Sequence, residues 1–324
     1  MTTKRTLLGS LLALPALAFG NAADAQGYPT RPVRLVVPFP PGGSTDITAR
    51  LFAARLQEKW GQPVVVENRP GGDTIIATGA VVQAPADGYT VLLATSALPI
   101  TAAVRRSLPY DVQRDLSPVT LIGTIPNALV VHPSVRANTV AEFVALAKSR
   151  PGALNFASAG ASTGQRFAFE LLKQRLGIDV VHVPFRGGAP ATQAVVAGQV
   201  ESMIMNVLEA VPLVRTGRLR ALAVTTKERV SGLPDVPTLA ETVMPGLDVS
   251  VWQAAFVPAG SPPEAIARLN RDLRAVAAEP AVAQRLQELG LNVRTGSPEE
   301  LGAFLREEVE TWTRVAREAG IQEN

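Results

Sequence analysis

The sequence predicts an α/β protein of two lobes, and three observations predict it. β-branched runs alternate with helix-period segments along most of the 324 residues. Strand–turn–helix units with small-residue turns recur, at "VVPFPPGGSTDITARL" and at "LNFASAGASTGQRFAFELL". Two apolar stretches, near Leu121–Val131 and Val249–Val257, are long enough to cross between lobes as a two-stranded hinge. At 47% hydrophobic, the chain can fill one large or two medium cores.

Strands are expected at Val33–Val37, Val64–Glu67, Thr90–Leu93, Leu121–Ile125 and Leu129–Val131. They continue at Leu154–Ala157, Asp179–Val183, Ser202–Asn206, Leu219–Val224 and Val249–Val257. Helical stretches lie between them at Thr45–Lys59, Val140–Ser149, Thr163–Leu176 and Pro263–Ala278. In the first of these, Ile47, Leu51 and Ala54 form one face, with Phe52 and Leu56 beside it. The last helix is marked by Ser297-Pro298-Glu299-Glu300, which supplies an N-cap, a proline at the first helical position and a capping-box glutamate. The first lobe is then discontinuous, 26–125 plus 253–324, with 126–252 as the second.

Lys4 and Arg5 precede an apolar stretch, Leu7 to Phe19, followed by Ala23-Asp24-Ala25. A basic start, a short apolar core and an A-x-A site read as a cleavable export signal over 1–25, leaving Gln26 first. The apolar stretch falls short of the roughly 20 residues that a spanning helix needs. Cysteine is absent, so no disulfide, thiolate metal site, cysteine nucleophile or lipid-anchoring cysteine is available. The 31 basic residues against 28 acidic ones are scattered, and aromatics make up 5%. No basic stripe or stacking platform for nucleic acid exists. Two separated histidines outside any H-E-x-x-H context give no metal site, and no cofactor is expected.

Three turns carry the chemistry. In "PPGGSTD", Gly42 and Gly43 admit close approach, Ser44 is placed to cap the next helix, and that helix presents free N–H groups and a positive dipole end. A carboxylate or phosphate is the natural guest. Neither a Walker loop nor G-x-G-x-x-G is present, which argues against a nucleotide. In "SAGASTG", Gly160 to Gly164 match the G-x-S-x-G nucleophile elbow, so an exported serine hydrolase using Ser162 is an alternative. It needs a histidine base, and only His132 and His182 exist; the first precedes the serine and the second sits in the next strand. "VPFRGGAP" is a third strand-to-helix turn, where Arg186 can pair with a carboxylate.

Six blocks, in order, resemble the Bug family of TctC-like substrate-binding proteins of tripartite tricarboxylate transporters. They are "YPTRPVRLVVPFPPGGSTDITAR", "VVVENRPGG", "APADGYTVLLAT", "NFASAGASTG", "VHVPFRGGAP" and "FVPAGSPPEAIARLN". The resemblance implies a periplasmic, two-lobed, type II-like binding protein that closes on a small organic carboxylate, is monomeric, and serves membrane transporter subunits. A ligand-binding subunit of a periplasmic sensor is a further alternative. Carried onto this sequence, the ligand site comprises Phe39, Gly42, Gly43, Ser44 and Asp46 from one lobe. The other lobe gives Ser158, Ala159, Gly160, Ser162 and Thr163, with Phe185, Arg186 and Gly187 nearby; Ser96 is a candidate from a third loop. Asp46 is expected to orient or discriminate the ligand, since a carboxylate repels a bound anion. Two departures from the family pattern, Gln165 for His and Ile204-Met205-Asn206 for Phe-Asp-Asn, remove a titratable group and a carboxylate that might face an ammonium. They favour a dicarboxylate or aromatic carboxylate over an amino acid.

Overall fold

The computed structural model describes residues 27–71, 74–160, 162–185 and 187–322. The export-signal reading over 1–25 lies outside them. In chain order the elements begin with β1 (Val33–Val37), α1 (Ser44–Trp60), β2 (Val64–Asn68), α2 (Ile75–Val82), β3 (Thr90–Thr95), α3 (Ala97–Val104), β4 (Leu116–Ile125) and β5 (Asn127–Val131). Next come α4 (Val140–Ser149), β6 (Asn155–Ser158), α5 (Gly164–Leu176), β7 (Val181–Pro184), α6 (Gly188–Val196), β8 (Ser202–Asn206), α7 (Val207–Arg215) and β9 (Arg220–Val224). The chain finishes with α8 (Leu239–Thr242), β10 (Val251–Pro258), α9 (Pro263–Ala277), α10 (Pro280–Glu288), β11 (Asn292–Val293) and α11 (Pro298–Glu318).

Two sheets carry two lobes. The first has strand order β11-β4-β10-β3-β1-β2, the second β7-β6-β8-β5-β9. The chain leaves the first sheet at Ile125, turns at Pro126 and enters the second at Asn127. On its way back Val249 N–H bonds the Thr225 carbonyl at 2.9 Å, and β10 then pairs with β4 from Val251 onward. The crossing is therefore two adjacent strand junctions, as the apolar stretches predict.

Period-2 alternation sorts each strand between two cores. In β10, Ala255 and Val257 face α1, α9 and α10, whereas Trp252, Ala254 and Phe256 face Leu301 and Leu305 of α11. In β5, Leu129 and Val131 pack with Phe143, Phe156 and Phe167, while Ala128 and Val130 pack with Met203 and Met205. The buried face of α1 is Ala49, Phe52, Ala53 and Leu56, rotated from the expected one; Ala54 is exposed. A helix over a parallel βαβ unit buries small residues against the strands, and alanines at 49 and 53 meet that need where Ile47 and Leu51 stay half-buried. The capping box of α11 is present as expected, with Ser297 and Glu300 bonded reciprocally.

α11 ties the lobes together. Its start belongs to the first-lobe core, but Trp312, Val315 and Ala316 lie in the core of the second. The Trp312 ring meets Phe167 edge-on at 5.9 Å, and Gln174 of α5 donates to the Val315 carbonyl at 2.7 Å. Glu308 accepts from both Trp252 Nε1 at 2.8 Å and Trp312 Nε1 at 3.0 Å, linking the crossing strand to this helix. Burial pushes the Glu308 carboxyl up, and the two indole donors work against that rise. Trp312→Ala is expected to lower stability by about 3–5 kcal/mol, read as a fall in the urea midpoint followed by circular dichroism.

Candidate functional site between the lobes

A cavity of about 680 Å³ lies where both sheets present their strand ends. β1, β2 and β3 run parallel, so the loops that follow them open on one side. β6 and β7 do the same for the second lobe. The walls are Phe39–Pro41 and Gly43–Thr45 after β1, Thr74 after β2, and Thr95–Ala97 after β3. Ala159, Gly160 and Ser162–Gln165 follow β6, Gly187 and Gly188 follow β7, and Val251 comes from the crossing strand. None of these lining side chains is ionisable.

Helix N-termini converge here. α1, α2, α3, α5 and α6 all begin at the wall; of these only α5 is capped by the side chain of its N-cap residue, Thr163 Oγ1 accepting from Arg166 N–H, while Thr95 Oγ1 accepts from Ala97 N–H at the start of α3 at 3.3 Å. Away from the cavity α4, α7, α8 and α11 are capped by Thr139, Asn206, Thr238 and Ser297. The expected cap at Ser44 is absent: Gly43 occupies that position and Ser44 is the first helical residue. A serine cap would consume an N–H group that the glycine leaves available.

The β1–α1 turn is held from behind. Gly42 takes φ +90°, a left-handed conformation that suits glycine, and its N–H donates to Asp46 Oδ2 at 2.9 Å. Asp46 also accepts from Arg50 Nε at 3.0 Å and Asn68 Nδ2 at 2.9 Å, while Asn68 Nδ2 reaches the Phe39 carbonyl at 3.0 Å. Burial opposes ionisation of Asp46, but the bonds from Arg50, Gly42 and Asn68 outweigh it and hold the carboxyl below its usual range. Neither Asp46 nor Gly42 lines the cavity. Asp46 thus braces the loop, its carboxylate turned to three donors of the protein itself.

The facing loop has its own brace. Ser158 Oγ donates to the Gly160 carbonyl at 2.8 Å, and His182 Nε2 lies 2.7 Å from the same oxygen. A hydroxyl has one proton, so with that proton on Gly160 the histidine must be the donor, through Nε2–H. Burial first, then the charges of Arg166 and Lys173, push the His182 pKa down to about 4, so the ring is neutral. His182 is therefore bonded to Ser158 as a donor, and the serine–histidine base pairing that an elbow at Ser162 requires is not formed. Phe185 N–H bonds the Ser158 carbonyl at 2.9 Å and Gly187 N–H bonds Ala159 at 3.1 Å, zipping the β7–α6 turn to this loop. Ser158 and Phe185 stand behind the wall; Arg186 lies outside the described residues.

Ser96, Ala159, Gly160, Ser162, Thr163, Phe39, Gly43, Ser44 and Gly187 line one cavity together. Sequence reasoning missed Thr45, Thr74, Thr95, Ala97, Gly188 and Val251. For Thr95 a signal existed, namely the end of a parallel strand beside another lining loop. Met205 is buried among Met203, Val207 and Ala210, so that position packs the core and does not face the cavity. Among the described residues no group of three His, Cys, Asp or Glu side chains is placed to hold a metal.

Asp46→Ala should cost on the order of 2 kcal/mol, since it strands buried donors, and should weaken binding of every ligand alike. A ligand-dependent change with unaltered melting would contradict the bracing role. For His182, the folded pKa lies below the ordinary 6.5, so its contribution is complete above that value and is lost as pH falls towards about 4. The melting-temperature advantage of wild type over His182→Gln should therefore shrink between about pH 7 and about pH 4.

The sequence profile described as "Tripartite tricarboxylate transporter family receptor", TctC, matches residues 48–321. BugT of Bordetella pertussis is 36% identical over 324 residues, covering 99% of both chains. Among solved structures, R. palustris Rpa4515 with adipate is 36% identical with a TM-score of 0.79, covering 91% of this chain and 99% of that one. MatC from Rhodopseudomonas palustris with bound malate is 34% identical with a TM-score of 0.76, covering 89% and 99%. With two lobes, a cavity at their facing helix ends and a profile match over most of its length, the chain belongs to the TctC family of tripartite tricarboxylate transporter receptors.

Proposed function

We propose that this protein is a periplasmic receptor that captures a small organic carboxylate in the inter-lobe cavity and delivers it to transporter subunits in the membrane. The observation that carries the reading is a cavity walled by uncapped helix N-termini and hydroxyls, with no ionised side chain among its described lining residues. Such a wall is selective for negative charge. An acidic wall would reject an anion. The adipate and malate bound by the two relatives support the same class of ligand.

The binding set is Phe39, Gly43, Ser44, Ser96, Ala159, Gly160, Ser162, Thr163 and Gly187, with Arg186 adjacent in sequence. Gly42, Asp46, Ser158 and Phe185 serve it as positioning residues. Charge-assisted hydrogen bonds are worth roughly 1.5–3 kcal/mol each. A few of them reach the ~8 kcal/mol of a micromolar complex. Closure is a hinge motion at the crossing strands, which the ligand favours by contacting both lobes at once. Export through removal of residues 1–25 places the receptor in the periplasm, and among the described residues no helix is long and apolar enough to cross a membrane.

Calorimetry with ligand-stripped protein tests the reading. Malate or adipate should bind, and the corresponding neutral diamides should not. Ser162→Ala should weaken binding about ten- to a hundredfold with an unchanged far-ultraviolet spectrum, because Thr163 still caps α5. Wild type should form no adduct with a serine-directed phosphonate; a stoichiometric adduct on Ser162 would establish the hydrolase instead.

A further inference from the structure

A second cavity, of about 690 Å³, lies on the other side of the crossing strands. Side chains alternate along an extended chain, so Val251 lines the cavity described above, whereas Ser250 and Trp252 line this one. The first lobe supplies Thr124 of β4, Gly290 before β11, and Phe304 and Glu308 of α11. The second lobe supplies the start of α7, at Val207 and Leu208, and the loop 226–232.

Glu308 is the partly buried charge in this wall. Trp252 and Trp312, 1% and 2% exposed, both donate to its Oε2. Its Oε1 accepts no hydrogen bond among the described residues, yet it is not one of the buried atoms left unpaired, so it is accessible at the cavity surface. No cation stabilises the carboxylate: burial pushes it up, and the charge of Glu307 adds to the rise. Aromatic rings stand beside it. Phe304, half-buried, meets the Trp252 ring edge-on with centroids 5.6 Å apart, and both residues line the cavity. A carboxylate lacking a counter-ion, next to aromatic rings, is the set of groups that holds an organic cation.

The other charges lie on the rim. Lys227, Arg229 and Arg294 are positive there, Glu228 and Asp248 negative, and all five are exposed. Arg229 is already held by Glu241 at 3.0 Å. Exposed charges are screened by solvent and salt. With Glu308 included, the wall carries three charges of each sign, so the partly buried one decides its preference.

We propose that the cavity behind the crossing strands binds a small organic cation, its guanidinium or alkylammonium group donating to Glu308 Oε1 and packing against Phe304. The assignment stands apart from the carboxylate reading of the other cavity. Helix N-termini and the lack of any ionisable lining group make that other wall unsuited to a cation.

The test uses the full mature chain, with methylguanidinium as the probe and methylurea, of similar shape without the charge, as the control. Calorimetry and tryptophan fluorescence read binding. Methylguanidinium should bind and change the tryptophan emission, and methylurea should do neither. Glu308→Gln keeps an oxygen for both indoles and should weaken binding about tenfold or more. Arg294→Ala removes a rim cation at an exposed position and should tighten binding about two- to fivefold at low salt. Ser162→Ala, in the other cavity, should bind the probe as wild type does. A wild type that binds both compounds alike, or neither, would overturn the assignment. So would an unchanged affinity in Glu308→Gln, or a loss in Ser162→Ala, which would put the cation in the other cavity. Should Glu308→Gln fail to fold, Arg294→Ala decides, since unchanged or weaker binding there is fatal to the proposal.

Discussion

A helix cannot satisfy its own first N–H groups, and much of this molecule is arranged around where those unsatisfied groups point. Parallel strands force each following helix to start on the same edge of its sheet. Two such sheets, facing each other across a gap, bring five helix starts to one place. The chain caps most other helices with Ser, Thr or Asn and withholds such caps from four of these five. An anion is the partner proposed to complete them. No described lining residue is ionisable, so none of them would have to be paired as a buried ion in the absence of ligand.

The braces explain how so exposed a turn keeps its geometry. Gly42–Ser44 is exposed on the solvent side, yet Asp46 and Asn68 grip it from the sheet side through buried bonds. Across the gap, the Ser158–His182 pair grips Gly160 in the same way. Each lobe therefore spends a polar network behind its loop and leaves the front free. α11 adds the constraint between lobes: one helix contributes Leu301 and Leu305 to the first core and Trp312 and Val315 to the second. Loss of either core would remove part of this helix's support, which couples the two lobes.

Strands and the crossing were legible because apolar runs and the turn residues between them are local properties. β1, β8 and α4 fall on the expected residues, and the two small-residue turns do face one cavity. Which side chains of those turns touch the cavity was not legible. Asp46 and Ser44 are near neighbours with the same helix-start chemistry, but only the fold shows that one turns inward to Arg50 and Asn68 while the other lies on the wall. Met205 similarly reads as a neighbour of the site until the pleat of β8 puts it in the core. Thr74 carries no sequence mark at all, since a threonine at positive φ is a choice made by tertiary context against local preference. The burial of α1 through alanines was hidden for a related reason: large apolar residues dominate a periodicity pattern, while close helix–sheet packing is made by small ones.

A Cβ placed on Gly164 would lie 2.8 Å from Ser96 Oγ, a close approach with a mechanical meaning. It lies on the hinge side of the cavity, whereas Thr74 and Gly188 lie on the outer side, so the two lobes form a pair of jaws with a stop close to the pivot. A lever magnifies whatever is done near its fulcrum. One methyl group at residue 164 would act as a shim, and the gap it opens at the rim would exceed its own thickness by the ratio of the two distances from the pivot. The absent side chain at this glycine therefore leaves the two lobes room to approach each other close to the pivot.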